Sequence, residues 1–297
     1  MSYDFNSGNE LLKLCENEDI TISEVMLRRE AEATEMTREK AIAEMRLNLK
    51  VMRESVKKGL TTKVESVSRL SGGEAMNLYR YGDLDPLSGR ETCHAAAAAM
   101  AVVEVNASMG RIVAAPTAGA SGILPGVLIS TAMNRDWTDE QLINGLFCAG
   151  AIGMLFTKNA SISGAAAGCQ AETGVASAMT AAALVEISGG TPIQCLDAAA
   201  ISIKNIEGLV CDPVAGLVEC PCIKRNAMGA ANALLSADLA LCGITSLIPF
   251  DEVVESMYAI GRDIRPEYRE TAKGGLATTP TGKKIAANLK RSNGSMD

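Results

Sequence analysis

The segment ETCHAAAAAMAVVEVNASM at 91–109 sets five consecutive alanines, at 95–99, inside a long apolar run. Alanine is the strongest helix former and carries nothing beyond Cβ, so such a run makes a buried helix that its neighbours approach closely. Of the 297 residues, 47% are apolar but only 3% are aromatic, with Ala, Leu, Ile, Val and Met dominating. A core of that composition suits close-packed helices rather than large interlocking rings.

Helix starts are written in the same terms. A capping box pairs a Ser or Thr with a Glu or Gln three residues on, each side chain satisfying a backbone N–H that the first turn leaves free. Ser88 with Glu91 opens the alanine run, and Thr138 with Gln141 opens QLINGLFCAGAIGMLF. Thr191 with Gln194, with Pro192 in the first helical position, opens IQCLDAAAISIKNI. Thr21 with Glu24 opens an amphipathic stretch through Val25, Met36, Leu49 and Met52, a surface helix or helix pair that stops near Gly59. Further helices are expected at 175–187, 227–242 and 251–260, and alternating β-branched runs of strand length are scarce. The expectation is an all-α chain: one helical catalytic domain over 1–297, with 1–60 as a peripheral amphipathic helical segment.

The net charge of −7 and scattered basic residues argue against a nucleic-acid footprint, leaving a small molecule as the default partner. The first thirty residues have no basic start before an apolar stretch, so a cytoplasmic location is expected. Mean hydropathy is slightly positive, yet the longest apolar stretch, 227–249, contains Asn232 and Asp238. A mid-bilayer Asp costs roughly 2.5–3.5 kcal/mol, so buried soluble helices explain it better than membrane spans. Nine cysteines, at 15, 93, 148, 169, 195, 211, 220, 222 and 242, make an odd number for a paired secreted framework. Thiol or metal chemistry is the reading to test.

Cys93, Cys148, Cys195 and Cys242 fall inside apolar helical runs, whereas Cys169, Cys211 and Cys222 fall in loops rich in Gly and Pro. Spacing alone matches neither a ferredoxin run nor a zinc ribbon, and free cysteine also serves as ordinary core filling. In APTAGASGILPG, at 115–126, Thr117 and Ser121 precede an apolar helix, where N–H groups and hydroxyls can hold an anion or simply cap the turn. Asn159, Ser161 and Ser163 form a second polar group ahead of Cys169, able to bind a zwitterion or cap the next helix. His94 is the sole histidine, so no histidine pair exists; it is either a buried, satisfied imidazole or a catalytic one. A Ser-His-Asp hydrolase lacks its G-x-S-x-G elbow here, and no motif marks a pyridoxal phosphate site.

SGGEAMNLYRY (71–81), APTAGASGILP (115–125), NASISGAAAGCQAETG (159–174), GLVCDPVAGLVECPCIKRN (208–226) and GRDIRPEYRETAKGGLA (261–277) occur in one order. Together they resemble the α subunit of iron–sulfur-dependent L-serine dehydratases. The resemblance implies a largely helical catalytic domain holding a [4Fe–4S] cluster through Cys169, Cys211 and Cys222, with one iron free of protein thiolate. It implies conversion of L-serine to pyruvate and ammonia, with the open iron as Lewis acid for the departing hydroxyl. It also implies a separate β subunit, and hence a hetero-oligomer, because the tail KKIAANLKRSNGSMD carries no cysteine for the fourth iron. His94 and Lys273 are the two candidates for the base, and Thr117, Ser121, Asn159, Ser161 and Ser163 for holding the substrate's charged ends. Cys220 stands where many relatives carry an apolar residue. Were it a fourth thiolate, the cluster would be closed and the chain an electron-transfer or redox-sensing protein. In a third reading the cysteines only pack, in a cluster-free binding or membrane protein.

Overall fold

The computed structural model describes residues 2–293, and the described residues form thirteen α-helices with no strand. The all-α expectation holds. In chain order they are α1 (Gly8–Glu18), α2 (Ile22–Ala33), α3 (Arg38–Thr61), α4 (Glu74–Tyr81), α5 (Arg90–Ala107), α6 (Ile123–Arg135) and α7 (Asp139–Asn159). There follow α8 (Gly164–Ala167), α9 (Val175–Ile187), α10 (Pro192–Lys204), α11 (Cys222–Leu241), α12 (Phe250–Asp263) and α13 (Pro280–Asn293).

Helices α5 and α9 lie at the centre. From Cys93 to Val105 every residue of α5 is buried, and so is every residue of α9 from Val175 to Val185. Small side chains make this possible. A Cβ on Gly126 of α6 would lie 2.4 Å from the backbone nitrogen of Ala99, and one on Gly59 of α3 would lie 2.5 Å from the carbonyl of Ala101. Backbones therefore touch where aromatic side chains would hold them apart, which is the physical content of the low aromatic fraction. Helix α5 packs on α3, α4, α6 and α11, while α9 packs on α7, α10 and α11.

The capping boxes at Thr138–Gln141 and Thr191–Gln194 form as read, each worth about 1 kcal/mol. The one at Ser88 does not. Helix α5 begins after Gly89, whose φ of 77° suits glycine, and no side chain caps it. The amphipathic stretch from Thr21 is interrupted at 34–37 and continues as α3 after a fresh cap from Thr37. Phe5, Leu11, Ile22, Val25 and Leu49 of this N-terminal segment are buried in the main core.

Helix α11 starts five residues earlier than periodicity suggests, at Cys222, because Pro221 precedes it and the cysteine side chain faces inward. Asn232, which weighs against a membrane span, donates to Ser177 Oγ at 3.0 Å and to the Ser202 carbonyl at 2.9 Å, tying α11 to α9 and α10. Helix α7 is long and apolar enough to cross a bilayer by length and composition, and 67% of that stretch is buried inside the bundle.

Candidate metal centre

Three irregular segments bring distant cysteines to one corner. Cys169 precedes a π-type turn, Gln170–Gly174, that leads into α9; such turns rearrange the backbone near functional groups. Cys211 is pinned by its own backbone: its N–H donates to the Tyr268 carbonyl at 2.8 Å, and its carbonyl accepts from the Glu270 N–H at 2.8 Å. Cys222 is the first residue of α11. The Asn226 amide, one turn later, donates to the Gly119 carbonyl at 2.8 Å and its oxygen accepts from the Gly122 N–H at 3.1 Å. That bracket holds the 117–122 loop against the start of α11.

All three cysteines are buried, at 3%, 2% and 8% exposure, whereas Cys220 is exposed. The Sγ atoms of Cys169 and Cys211 and a carboxylate oxygen of Glu172 lie within 4.8 Å of one another. Glycine walls this corner: a Cβ on Gly164 would sit 3.1 Å from Cys211 Sγ and 2.6 Å from Glu172 Oε2. Thr117 donates to Glu172 Oε1 at 2.7 Å. Behind the thiols, Arg225 donates to the Val210 carbonyl at 2.8 Å and pairs with Asp212 at 2.9 Å, both side chains being largely buried. Asp212 also accepts from the Leu276 N–H at 2.8 Å, which fixes the 270–276 loop beside the corner.

The electrostatics follow from these neighbours. The neighbouring Cys211 thiol, with the Arg225 guanidinium and the Thr173 hydroxyl 3.3 Å away, draws Cys169 down to about 6 against its burial. Cys211 is raised by its Cys169 neighbour and then by burial. Burial pushes Cys222 up to about 12, with negative charge on Cys169 and Glu172 adding to it. Burial likewise pushes Glu172 up to about 7, opposed by the hydrogen bond from Thr117. Three soft sulfur donors and a carboxyl, beside a buried guanidinium, are a donor set fit for a thiophilic metal centre.

The other residues singled out by sequence are placed as follows. Ser121 is fully buried and donates to the Ala118 carbonyl at 2.7 Å, shaping its own loop. Asn159 donates to the carbonyls of Asn6 at 2.8 Å and Leu155 at 3.0 Å. Ser161 Oγ accepts from the Ser163 N–H at 3.1 Å, a local turn ahead of α8. Lys273 is exposed on the 270–276 loop. His94 is buried in α5, stacked on Tyr79 with ring centroids 4.2 Å apart. Its Nε2 lies 3.4 Å from Asp83 Oδ1 without forming a hydrogen bond. Its neighbours are thus at the α4–α5 turn.

Glu172, Arg225 and Asp212 were not legible as site residues. The available signal was spacing: Glu172 follows Cys169 by three residues and Arg225 follows Cys222 by three, which puts each on its cysteine's side of a helical turn.

Similarity to known proteins agrees with this construction. The family model for the serine dehydratase alpha chain matches residues 17–277. A Bacillus subtilis protein named "Probable L-serine dehydratase, alpha chain" is 52% identical over 286 residues, 96% of this chain and 95% of the relative. The L-serine dehydratase alpha chain of Peptoniphilus asaccharolyticus is 44% identical over 94% of this chain and 96% of its own. The Escherichia coli L-serine dehydratase TdcG is 39% identical over 93% of this chain, which is 62% of that longer protein. With its matched span covering the cysteine loops and the helices that hold them, this chain belongs to the serine dehydratase alpha chain family.

Proposed function

We propose that the chain is the catalytic α subunit of an iron–sulfur-dependent L-serine dehydratase, a lyase that converts L-serine to pyruvate and ammonia. The observation that carries this reading is the meeting of Cys169, Cys211 and Glu172 in one corner, with buried Cys222 within electrostatic reach of Cys169, in a chain whose relatives are named L-serine dehydratase alpha chains. These three thiolates would hold a [4Fe–4S] cluster, leaving one iron without a protein thiolate. When bound, that cluster supplies a Lewis acid that draws electron density from the serine β-hydroxyl and makes hydroxide a better leaving group. The α-proton and the β-hydroxide are lost together as water, and the aminoacrylate then takes up water to release ammonia and leave pyruvate.

The chain's own residues have separable tasks. Arg225, held by Asp212 and the Val210 carbonyl, joins the Cys211 thiol in drawing Cys169 toward its thiolate. Glu172, poised by burial near neutrality and oriented by Thr117, can hold or give up a proton at Oε2 beside the cysteines, which adds it to His94 and Lys273 as a proton-handling group. Lys273 is exposed on the loop whose Leu276 N–H bonds Asp212, which supports a role in meeting a substrate from solvent. Thr117, Ser161 and Ser163 offer hydroxyls to the substrate's charged ends, while Ser121 and Asn159 act through the backbone they bind.

A β subunit is the partner proposed, giving a hetero-oligomer; the E. coli relative carries additional length in one chain. The proposed location is the cytoplasm. The electron-transfer alternative needs a fourth thiolate, and the exposure of Cys220 favours the open-iron reading. The test is anaerobic purification with iron and sulfide analysis, then a pyruvate assay on L-serine with and without the β subunit. Iron-dependent pyruvate formation that bleaches and decays together in air is expected. An anaerobically reconstituted protein that binds no iron, or that binds it and forms no pyruvate with its partner present, sinks the proposal.

A further inference from the structure

A second group of metal-ligating side chains lies outside the corner described above. Cys148 of α7, Cys195 of α10 and Glu186 of α9 bring two Sγ atoms and a carboxylate oxygen within 4.8 Å of one another. Both cysteines are fully buried. Cys15 on α1, 2% exposed, lies within electrostatic reach of both Glu186 and Cys195. Three helices distant in sequence therefore direct two thiols and one carboxyl to a common point, with a third thiol near by on α1.

Packing explains the cysteines but not the carboxylate. Glu186 is half-buried, and a carboxylate kept here draws on partners on each side. On one side it has them: the Ser23 N–H, at the first turn of α2, reaches both carboxylate oxygens at 3.2 and 3.3 Å. On the other side stand the two thiols. Sulfur donors rule against Mg2+ and Ca2+, and a carboxylate among them suits a divalent ion better than copper(I).

We propose that Cys148, Cys195 and Glu186, with Cys15 as the fourth donor, form a structural zinc(II) site that fastens α1 and α2 to α7, α9 and α10. Zinc bonds of about 2.3 Å to sulfur and 2.0–2.2 Å to oxygen place tetrahedral donors about 3.8 Å apart, a contraction from the 4.8 Å within which Cys148, Cys195 and Glu186 lie, and the Cys15 side chain would turn to close the fourth position. Each thiol that binds gives up its proton to solvent. The four donors fill the coordination shell and no water-filled position is left, so the site fastens helices and does no lyase chemistry. It does not depend on how the Cys169, Cys211 and Cys222 corner is read.

The test uses the full-length chain, purified without oxygen and incubated with zinc chloride before desalting. About one zinc per chain is expected. The zinc X-ray absorption edge should show three sulfur neighbours and one oxygen, and two sulfurs would remove Cys15 from the site. Cys195→Ser should lower zinc at least tenfold with iron unchanged, and Cys211→Ala should lower iron with zinc unchanged. Wild-type chain retaining less than about a tenth of a zinc, or an edge without sulfur neighbours, overturns the site. So does zinc that leaves with Cys211→Ala, which would place the ion in the other corner. If Cys195→Ser fails to fold, the wild-type edge and the Cys211→Ala metal content still decide.

Discussion

The two thiol groups of this molecule are built from similar donors on different scaffolds. Cys148, Glu186 and Cys195 project from the regular helices α7, α9 and α10, and both cysteines are fully buried. Cys169, Cys211 and Cys222 come from a π-type turn, a pinned loop and a helix start, with glycine at 164 leaving room and a buried guanidinium behind. Helices hold donors rigidly but crowd every side of the point they face. Irregular backbone costs some regular hydrogen bonding but lets loops far apart in sequence bring their thiols beside a cation. In the readings proposed above, the first group is closed and holds an ion, and the second is the open corner that holds a cluster and admits substrate.

This contrast can be broken at several points. Cys211→Ala should abolish cluster iron and lower L-serine turnover by about 10³-fold or more, since the metal's share of the leaving-group chemistry is several kcal/mol. Turnover retained to within tenfold, measured by pyruvate release, would remove the distinction between the two groups.

Arg225→Gln strips the cation that only the open corner has and strands Asp212, whose side chain is 5% exposed. A loss of about 3–5 kcal/mol in thermal or denaturant unfolding is expected. The Cys169 thiol should also lose its acidity, seen as slower alkylation of the metal-free chain at pH 7.

Both groups contain a carboxyl that burial raises, and in the open corner Glu172 is pushed up to about 7, from an ordinary 4.5. Because the folded chain holds this proton more tightly than the unfolded one, Glu172 favours folding fully below about pH 4.5. That contribution is lost as pH rises through about 7. Its size is on the order of 3 kcal/mol, less where solvent reaches the group. In the metal-free chain Glu172→Gln should flatten the fall in stability between pH 4.5 and 7.5, read from urea midpoints. An unchanged slope would show that Glu172 is not held protonated.

Gly164→Ala tests the open side directly. The added methyl would press on Glu172 Oε2 at 2.6 Å and Cys211 Sγ at 3.1 Å, so iron occupancy and turnover should fall together by about tenfold. The smallest effect is expected from Cys220→Ala. Its side chain is exposed, and iron content and turnover should stay within about twofold of the parent chain. A large iron loss there would return Cys220 to the cluster and favour the electron-transfer reading.

Much was legible without coordinates because it is local. The caps at Thr138 and Thr191 and the run Val175–Ile187 depend on residues three or four apart, and chain chemistry settles them. The alanine and glycine content already required helices in backbone contact, which Gly59 and Gly126 against α5 make concrete. The start of α5 was misread because Ser88 and Glu91 satisfy the capping pattern while Gly89, in a conformation that glycine tolerates best, takes the boundary. Loop context singled out Cys169, Cys211 and Cys222, and family resemblance gave them a chemistry. Their companions were hidden: Glu172 and Arg225 look like ordinary charged helix residues until the 117–122 loop and the 268–276 segment close around them.

Composition and short-range pattern thus determined that the chain is helical, where most helices lie and which loops hold the candidate cysteines. Only the tertiary structure decided which charges stand beside the thiols, and that Cys148, Glu186 and Cys195 meet at all. The reason is range. A cap or a helical face is fixed by neighbours within one turn, whereas residues 38 or 47 positions apart meet only through the packing of whole helices, which no local pattern encodes.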